Sequence, residues 1–171
     1  IKTNNVGPNG DIFTHFAYNS IGELLNYTDD MGMITSYKYD LLGRKVYMNH
    51  PDRGDLFYRY DDASNLTYLQ TTNLATDNAF IHYGYQYNRL ESIKYPEVVP
   101  GVENLSNVNY TFGAPSSGNE TGRLICQEDA SGRQEFKYGN MGEVILNKRT
   151  IIAPTPNLPN RTYVTEFAYD S

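Results

Sequence analysis

These 171 residues contain no tryptophan, one cysteine and no long apolar run, and each absence removes a class of protein. The single Cys126 can form neither an internal disulfide nor a multi-thiolate metal site. No stretch approaches the roughly 20 apolar residues of a membrane-spanning helix, and no charged start followed by an apolar segment suggests a signal peptide. Basic residues are too few and too scattered for a nucleic-acid groove: 14 Lys and Arg lie among 20 Asp and Glu, for a net charge of -6. The same balance disfavours acidic membranes. His15, His50 and His82 lie far apart and without ligand-spaced neighbours, so no zinc site is expected. "GAPSSGNETGR" has glycines and hydroxyls but neither a phosphate-loop ending nor a nucleophile elbow. The sequence therefore predicts no catalytic residue, no metal and no cofactor. An apolar period of 3.6 residues is absent as well, which leaves little place for helices.

What the chain does have is tyrosine, 16 of them, arranged with a period. An aromatic, any residue and a second aromatic recur as Phe16-Ala17-Tyr18, Tyr37-Lys38-Tyr39, Tyr58-Arg59-Tyr60, Tyr85-Gln86-Tyr87, Tyr110-Thr111-Phe112, Phe136-Lys137-Tyr138 and Phe167-Ala168-Tyr169. The first members are spaced by 21, 21, 27, 25, 26 and 31 residues. The longer intervals carry "TTNLATDN", "PEVVPGVENLSN", "GAPSSGNETG" and "APTPNLPN", whose Gly, Pro, Asn and Ser mark protruding loops. Such insertions leave the repeat intact on either side, as stacked-repeat architectures allow.

Each copy holds two turn signals. One follows the aromatic pair, as in "NSIG" (Asn19, Gly22), "DLLG" (Asp40, Gly43) and "GNMG" (ending at Gly142), with Asp61 starting the corresponding turn of the third copy. The other comes about ten residues later, in "DDMG", "PDRG" and "DASG". Segments of strand length separate them, so each copy reads as a β-hairpin and the whole as an all-β antiparallel meander. The Asp or Asn after each pair suits a turn start, where its side chain accepts from backbone N–H two residues on. The two aromatics of a pair project from one face, while Ala17, Lys38, Arg59, Gln86, Thr111, Lys137 and Ala168 point the other way, so one face should be packed and the other wetter. Equivalent aromatics then lie on every second strand, roughly 9–10 Å apart.

The recurring aromatic-x-Tyr-Asp, then x-x-Gly-[Arg/Lys/Glu] and Leu or Val, resembles the YD repeat of the RHS and teneurin-type family. "YKYDLLGRKV" (37–46) is its fullest copy; "YRYDDASNL" (58–66) lacks the glycine and puts Asn65 near its place, "YQYNRL" (85–90) shortens the turn and "YTFGAPSSGNETGRL" (110–124) lengthens it. The resemblance implies a β-ribbon spiralling into a hollow RHS/YD-repeat shell, which in bacterial polymorphic toxins and insecticidal toxin complexes encloses a C-terminal toxic polypeptide. The family's self-cleavage motif around an Asp-Pro dipeptide has no counterpart, since no Asp-Pro occurs here.

The expectation is thus a single array, residues 1–171, of about seven hairpin copies belonging to a longer bacterial protein, secreted or at the cell surface. Its partners are adjacent repeats of the same chain and an enclosed polypeptide. Its first strand, around Ile12 to Tyr18, and its last, around Thr162 to Tyr169, should offer edges through which the segment pairs with a second copy. The alternative is an adhesive module binding carbohydrate or protein, with sugar rings stacked on the tyrosines.

Overall fold

The computed structural model of the chain describes residues 2–7, 10–97, 106–153 and 158–170. It divides into two units, residues 1–81 and 82–171. The first holds β1 (Lys2–Gly7), β2 (Gly10–Tyr18), β3 (Leu24–Thr28), β4 (Ile34–Tyr39), β5 (Lys45–His50), β6 (Gly54–Tyr60), β7 (Leu66–Thr71) and a one-turn helix α1 (Thr72–Ala75). The second holds β8 (Ile81–Gln86), β9 (Arg89–Lys94), β10 (Val108–Phe112), a 3-10 turn (Gly118–Glu120), β11 (Leu124–Asp129), β12 (Gly132–Tyr138), β13 (Val144–Ile151) and β14 (Arg161–Glu166). Within each unit the strands pair antiparallel in chain order, so the all-β hairpin meander read from the repeat is the fold. Helix is confined to loops; α1 lies in "TTNLATDN", where the Thr71 hydroxyl accepts from the Leu74 N–H.

The turn after the aromatic pair is built the same way in successive copies. The Asp40 N–H donates to the Arg44 carbonyl at 2.9 Å, and the Gly43 N–H donates to the Asp40 carbonyl at 3.0 Å. The same two bonds recur as Asn19–Glu23 with Gly22–Asn19, and as Gly139–Glu143 with Gly142–Gly139. Even the ten-residue loop from Gly113 to Gly122 closes on this frame: the Gly113 N–H reaches the Arg123 carbonyl, and the Gly122 N–H reaches the Gly113 carbonyl, both at 2.9 Å. The fourth residue of the frame takes a left-handed backbone, with φ of 90° at Gly22, 74° at Gly43 and 85° at Gly142. In the third copy that place falls to Ser64, at φ 67°, whose N–H donates to the Asp61 carbonyl. Asn65, expected near the glycine position, instead occupies the place of Arg44, its own carbonyl closing the frame on the Asp61 N–H.

Every such turn is followed by a β-bulge. Tyr18 pairs with Leu24, Tyr39 with Lys45, Tyr60 with Leu66, Tyr85 with Leu90, Phe112 with Leu124 and Tyr138 with Val144, and in each case the register shifts there by one residue. An extra residue on the outgoing strand, such as Leu25 or Val46, accommodates the shift.

Three expectations are corrected. The segment Lys2–Gly7, polar and without alternation, forms β1 and pairs with β2 from Lys2 opposite His15, so the strand ending at Tyr18 is not the edge. In the fourth copy the pair in register is Tyr83 and Tyr85, because the two-residue turn Tyr87-Asn88, with φ of 50° and 60°, shortens the hairpin and leaves Tyr87 at 86% exposure. Finally β14 stops at Glu166, so Phe167 and Tyr169 lie beyond it.

Within each unit the strands form a single layer. Thr35, Leu56 and Cys126 are the buried side chains among the described residues. Packing is therefore lateral, from strand to strand. Because serine in the left-handed region carries a strain that glycine does not, Ser64→Gly should raise stability by about 0.5–1 kcal/mol in urea denaturation, despite losing the 3.3 Å contact of its hydroxyl with Arg44. Ser64→Ala should bring no gain.

Candidate functional site

The feature built with most care is the junction between successive copies. At four of these bulges the ladder to the following strand starts two residues late: β3 joins β4 from Asn26–Ser36, β5 joins β6 from Tyr47–Phe57, β11 joins β12 from Cys126–Glu135 and β13 joins β14 from Leu146–Glu166. The carbonyl of the first bulge residue is thereby left without a backbone partner. The second aromatic of the next copy supplies one. The Tyr39 hydroxyl donates to the Leu24 carbonyl at 3.0 Å, Tyr60 to Lys45 at 2.8 Å, Tyr138 to Leu124 at 2.6 Å and Tyr169 to Val144 at 3.0 Å.

A second tie runs alongside it. Where the residue after the left-handed end of the turn (Gly43, Asn88 or Gly122) is arginine, its guanidinium lies over the next aromatic ring: Arg44 over Tyr60 at 4.9 Å, Arg89 over Phe112 at 4.7 Å and Arg123 over Tyr138 at 5.4 Å. The same guanidinium donates to a turn carbonyl of that copy, Arg44 to Asp61 at 2.9 Å, Arg89 to Gly122 at 3.0 Å and Arg123 to Gly142 at 3.2 Å. Arg44 also holds its own turn, bonding Asp40 Oδ2 at 2.7 Å. Burial works to raise the Asp40 carboxyl, but the Arg44 N–H and guanidinium and the Leu42 N–H outweigh it and hold it below the usual aspartate range. In the first and sixth copies the position is Glu23 and Glu143; Glu23 bonds the Asn19 amide at 2.6 Å, whereas Gly139 offers no side chain to Glu143.

The sequence-derived residues fall around this junction. Phe16, Tyr37, Tyr39, Tyr58, Tyr60, Tyr85, Tyr110, Phe112, Phe136 and Tyr138 are half-buried on one face, while Tyr18, Tyr87, Phe167 and Tyr169 are exposed. The turn residues Asn19, Asp40 and Asp61 each accept through Oδ1 from the N–H four residues on, at 2.9, 3.0 and 2.8 Å, and Gly22, Gly43 and Gly142 complete the turns. What the sequence reading did not single out is the tyrosine hydroxyl and the arginine. The signals were present: the second member of the pair is Tyr in every copy but the one with Phe112, while the first is Phe or Tyr indifferently.

The arrangement binds the chain to itself. Burial pushes the Cys126 thiol up, against the pull of Arg133, so the thiolate needed of a nucleophile is disfavoured. Among the described residues no group of three or more His, Cys, Asp or Glu could hold a metal ion, and no helix is long and apolar enough to cross a membrane.

No family model and no curated protein matches the sequence. Solved structures do. A crystal structure of TcdB2-TccC3-Cdc42 superposes with a TM-score of 0.68 at 15% identity, over 98% of this chain and 8% of that one. TcdB2-TccC3 without its hypervariable C-terminal region gives 0.67 at 17% identity, over 94% and 9%. The Tc holotoxin pore of Photorhabdus luminescens gives 0.67 at 15%, over 89% and 8%. The chain has the fold of the RHS/YD-repeat proteins. It spans less than a tenth of the length of these RHS-type neighbours.

If the hydroxyl tie matters to the repeat, Tyr60→Phe should lower stability by about 1 kcal/mol with an unchanged circular dichroism spectrum, the range for leaving one partly buried carbonyl unpaired. Tyr58→Phe, at the first position of the same pair, is the control and should cost less.

Proposed function

We propose that the chain is a non-enzymatic repeat segment that forms part of the wall of a hollow RHS/YD-repeat shell in a secreted or surface-exposed bacterial protein, and that the shell encloses a polypeptide. The observation that carries this reading is the superposition over 98% of the chain on TcdB2-TccC3-Cdc42, joined to a repeat whose recurring positions tie copy to copy. The array counts about seven copies as one run, continued by further repeats in the longer protein. Carbohydrate stacking on the tyrosine ladder is less well supported: rings at the junctions are covered by Arg44, Arg89 and Arg123, and their hydroxyls are used internally. Electron microscopy of the natural-length protein tests the reading. Closed hollow particles with a polypeptide protected from protease until the shell is opened are expected; extended particles with no protected segment would overturn it.

The edges give the isolated 171-residue segment a partner in a second copy. Among the described residues β14 pairs with β13 alone and every one of its residues is exposed, while β1 pairs with β2 alone. Light scattering of the isolated segment should give a mass that rises with concentration; a strictly monomeric species throughout would exclude edge pairing.

A further inference from the structure

The face opposite the tyrosine ladder departs from its own repeat at one place. Immediately before the aromatic pair the copies carry His15, Ser36, His82, Asn109, Glu135 and Glu166, all polar, but the third copy carries Phe57. Its ring is 42% exposed. Phe57 pairs across the sheet with Tyr47, ring centroids 5.2 Å apart, and Tyr47 pairs with Lys38, whose ammonium lies 5.0 Å from the Tyr47 ring. Two residues along β6 from Phe57, Arg59 pairs with Tyr68 and lies 5.5 Å from the Phe80 ring, which meets Tyr68 edge-on at 6.0 Å. This face thus gathers four aromatic rings on and beside β5–β7, with an exposed cation on each side of the exposed one.

Nothing in the repeat needs this patch. The ties between copies run on the other face and at the turns, and they form equally where this position is Ser36 or Glu135. Neither Lys38 nor Arg59 takes part in the ion pairs of the described residues. The acidic groups of this stretch are at turns (Asp40, Asp52, Asp61, Asp62), apart from Asp55, whose Oδ1 is engaged by the Tyr47 hydroxyl at 2.7 Å and the Asn49 amide at 2.8 Å. An exposed ring, held by its neighbours and flanked by two unneutralised cations in a chain of net charge -6, is complementary to apolar side chains flanked by carboxylates.

We propose that this face of β4–β7 is a docking surface for an acidic polypeptide segment, with an apolar side chain seated against Phe57 and Tyr47 and carboxylates on Lys38 and Arg59. An acidic partner carries the same sign as the chain's net charge of -6, so local complementarity and not bulk attraction selects it.

Backbone NMR titration with a dodecapeptide of alternating Glu and Leu tests this, against its Lys-Leu counterpart and polygalacturonate. Saturable shifts confined to Lys38, Tyr47, Phe57, Arg59 and their neighbours are expected with the acidic peptide alone. Phe57→Ser, which installs the second copy's own residue, and Lys38→Glu with Arg59→Glu should each weaken binding at least about fivefold with circular dichroism unchanged. Equal or tighter binding of the Lys-Leu peptide, shifts confined to the edge strands, or unchanged affinity in the variants would overturn the proposal. So would tighter binding of polygalacturonate, which would mark a glycan surface, or self-association abolished by Phe57→Ser, which would mark a contact between copies.

Discussion

One carbonyl left outside the backbone ladder, at four of the junctions between copies, governs this fold. The bulge after each turn lets the outgoing strand bend away from its partner, and it takes the first residue of that strand out of reach of the next ladder. A peptide oxygen stranded inside a sheet is costly unless a donor reaches it. The tyrosine hydroxyl of the following copy does so, with a side chain long enough to cross the gap that the bulge has opened. Tyrosine at the second position is therefore a matter of reach and of a donor at the tip, and phenylalanine, which has the reach alone, appears there once.

The remaining architecture follows from having one layer. With three buried side chains among the described residues, neither unit has the central core that stabilises most domains of this size. Stability is instead a sum over neighbouring strands: cross-strand aromatic contacts such as Phe16 with Tyr27, the guanidinium over the next ring, and the hydroxyl tie. Such a sum has no natural end, which is why the same unit can serve proteins more than ten times longer.

Much of this was legible in the sequence because the repeat displays its own register. The period placed the strands, and the Asp-x-x-Gly spacing placed the turns, since both depend on local backbone chemistry. What escaped was whatever departs from local rules. β1 has no hydrophobic alternation and is held by its backbone pairing with β2, a feature that composition does not announce. Tyr87 looks like a pair member, yet a turn one residue shorter moves the frame to Tyr83 and Tyr85. Ser64 adopts a glycine conformation because closing the turn outweighs its strain. The aromatic cluster around Phe57 was hidden because the expectation of a wet face rested on the residues between the pairs, whereas Tyr47, Tyr68 and Phe80 come from other strand positions and the connecting loop.

The hydroxyl tie spans 15 residues of chain between Tyr39 and Leu24 but 25 between Tyr169 and Val144, at the same 3.0 Å. Sequence length between two copies is thus invisible to the bond that joins them. Lineages could shorten these connections by deletion or lengthen them by duplication without disturbing the strands, and an engineer could graft foreign peptides there. The chain behaves as a ruler whose marks are fixed and whose margins can be written on.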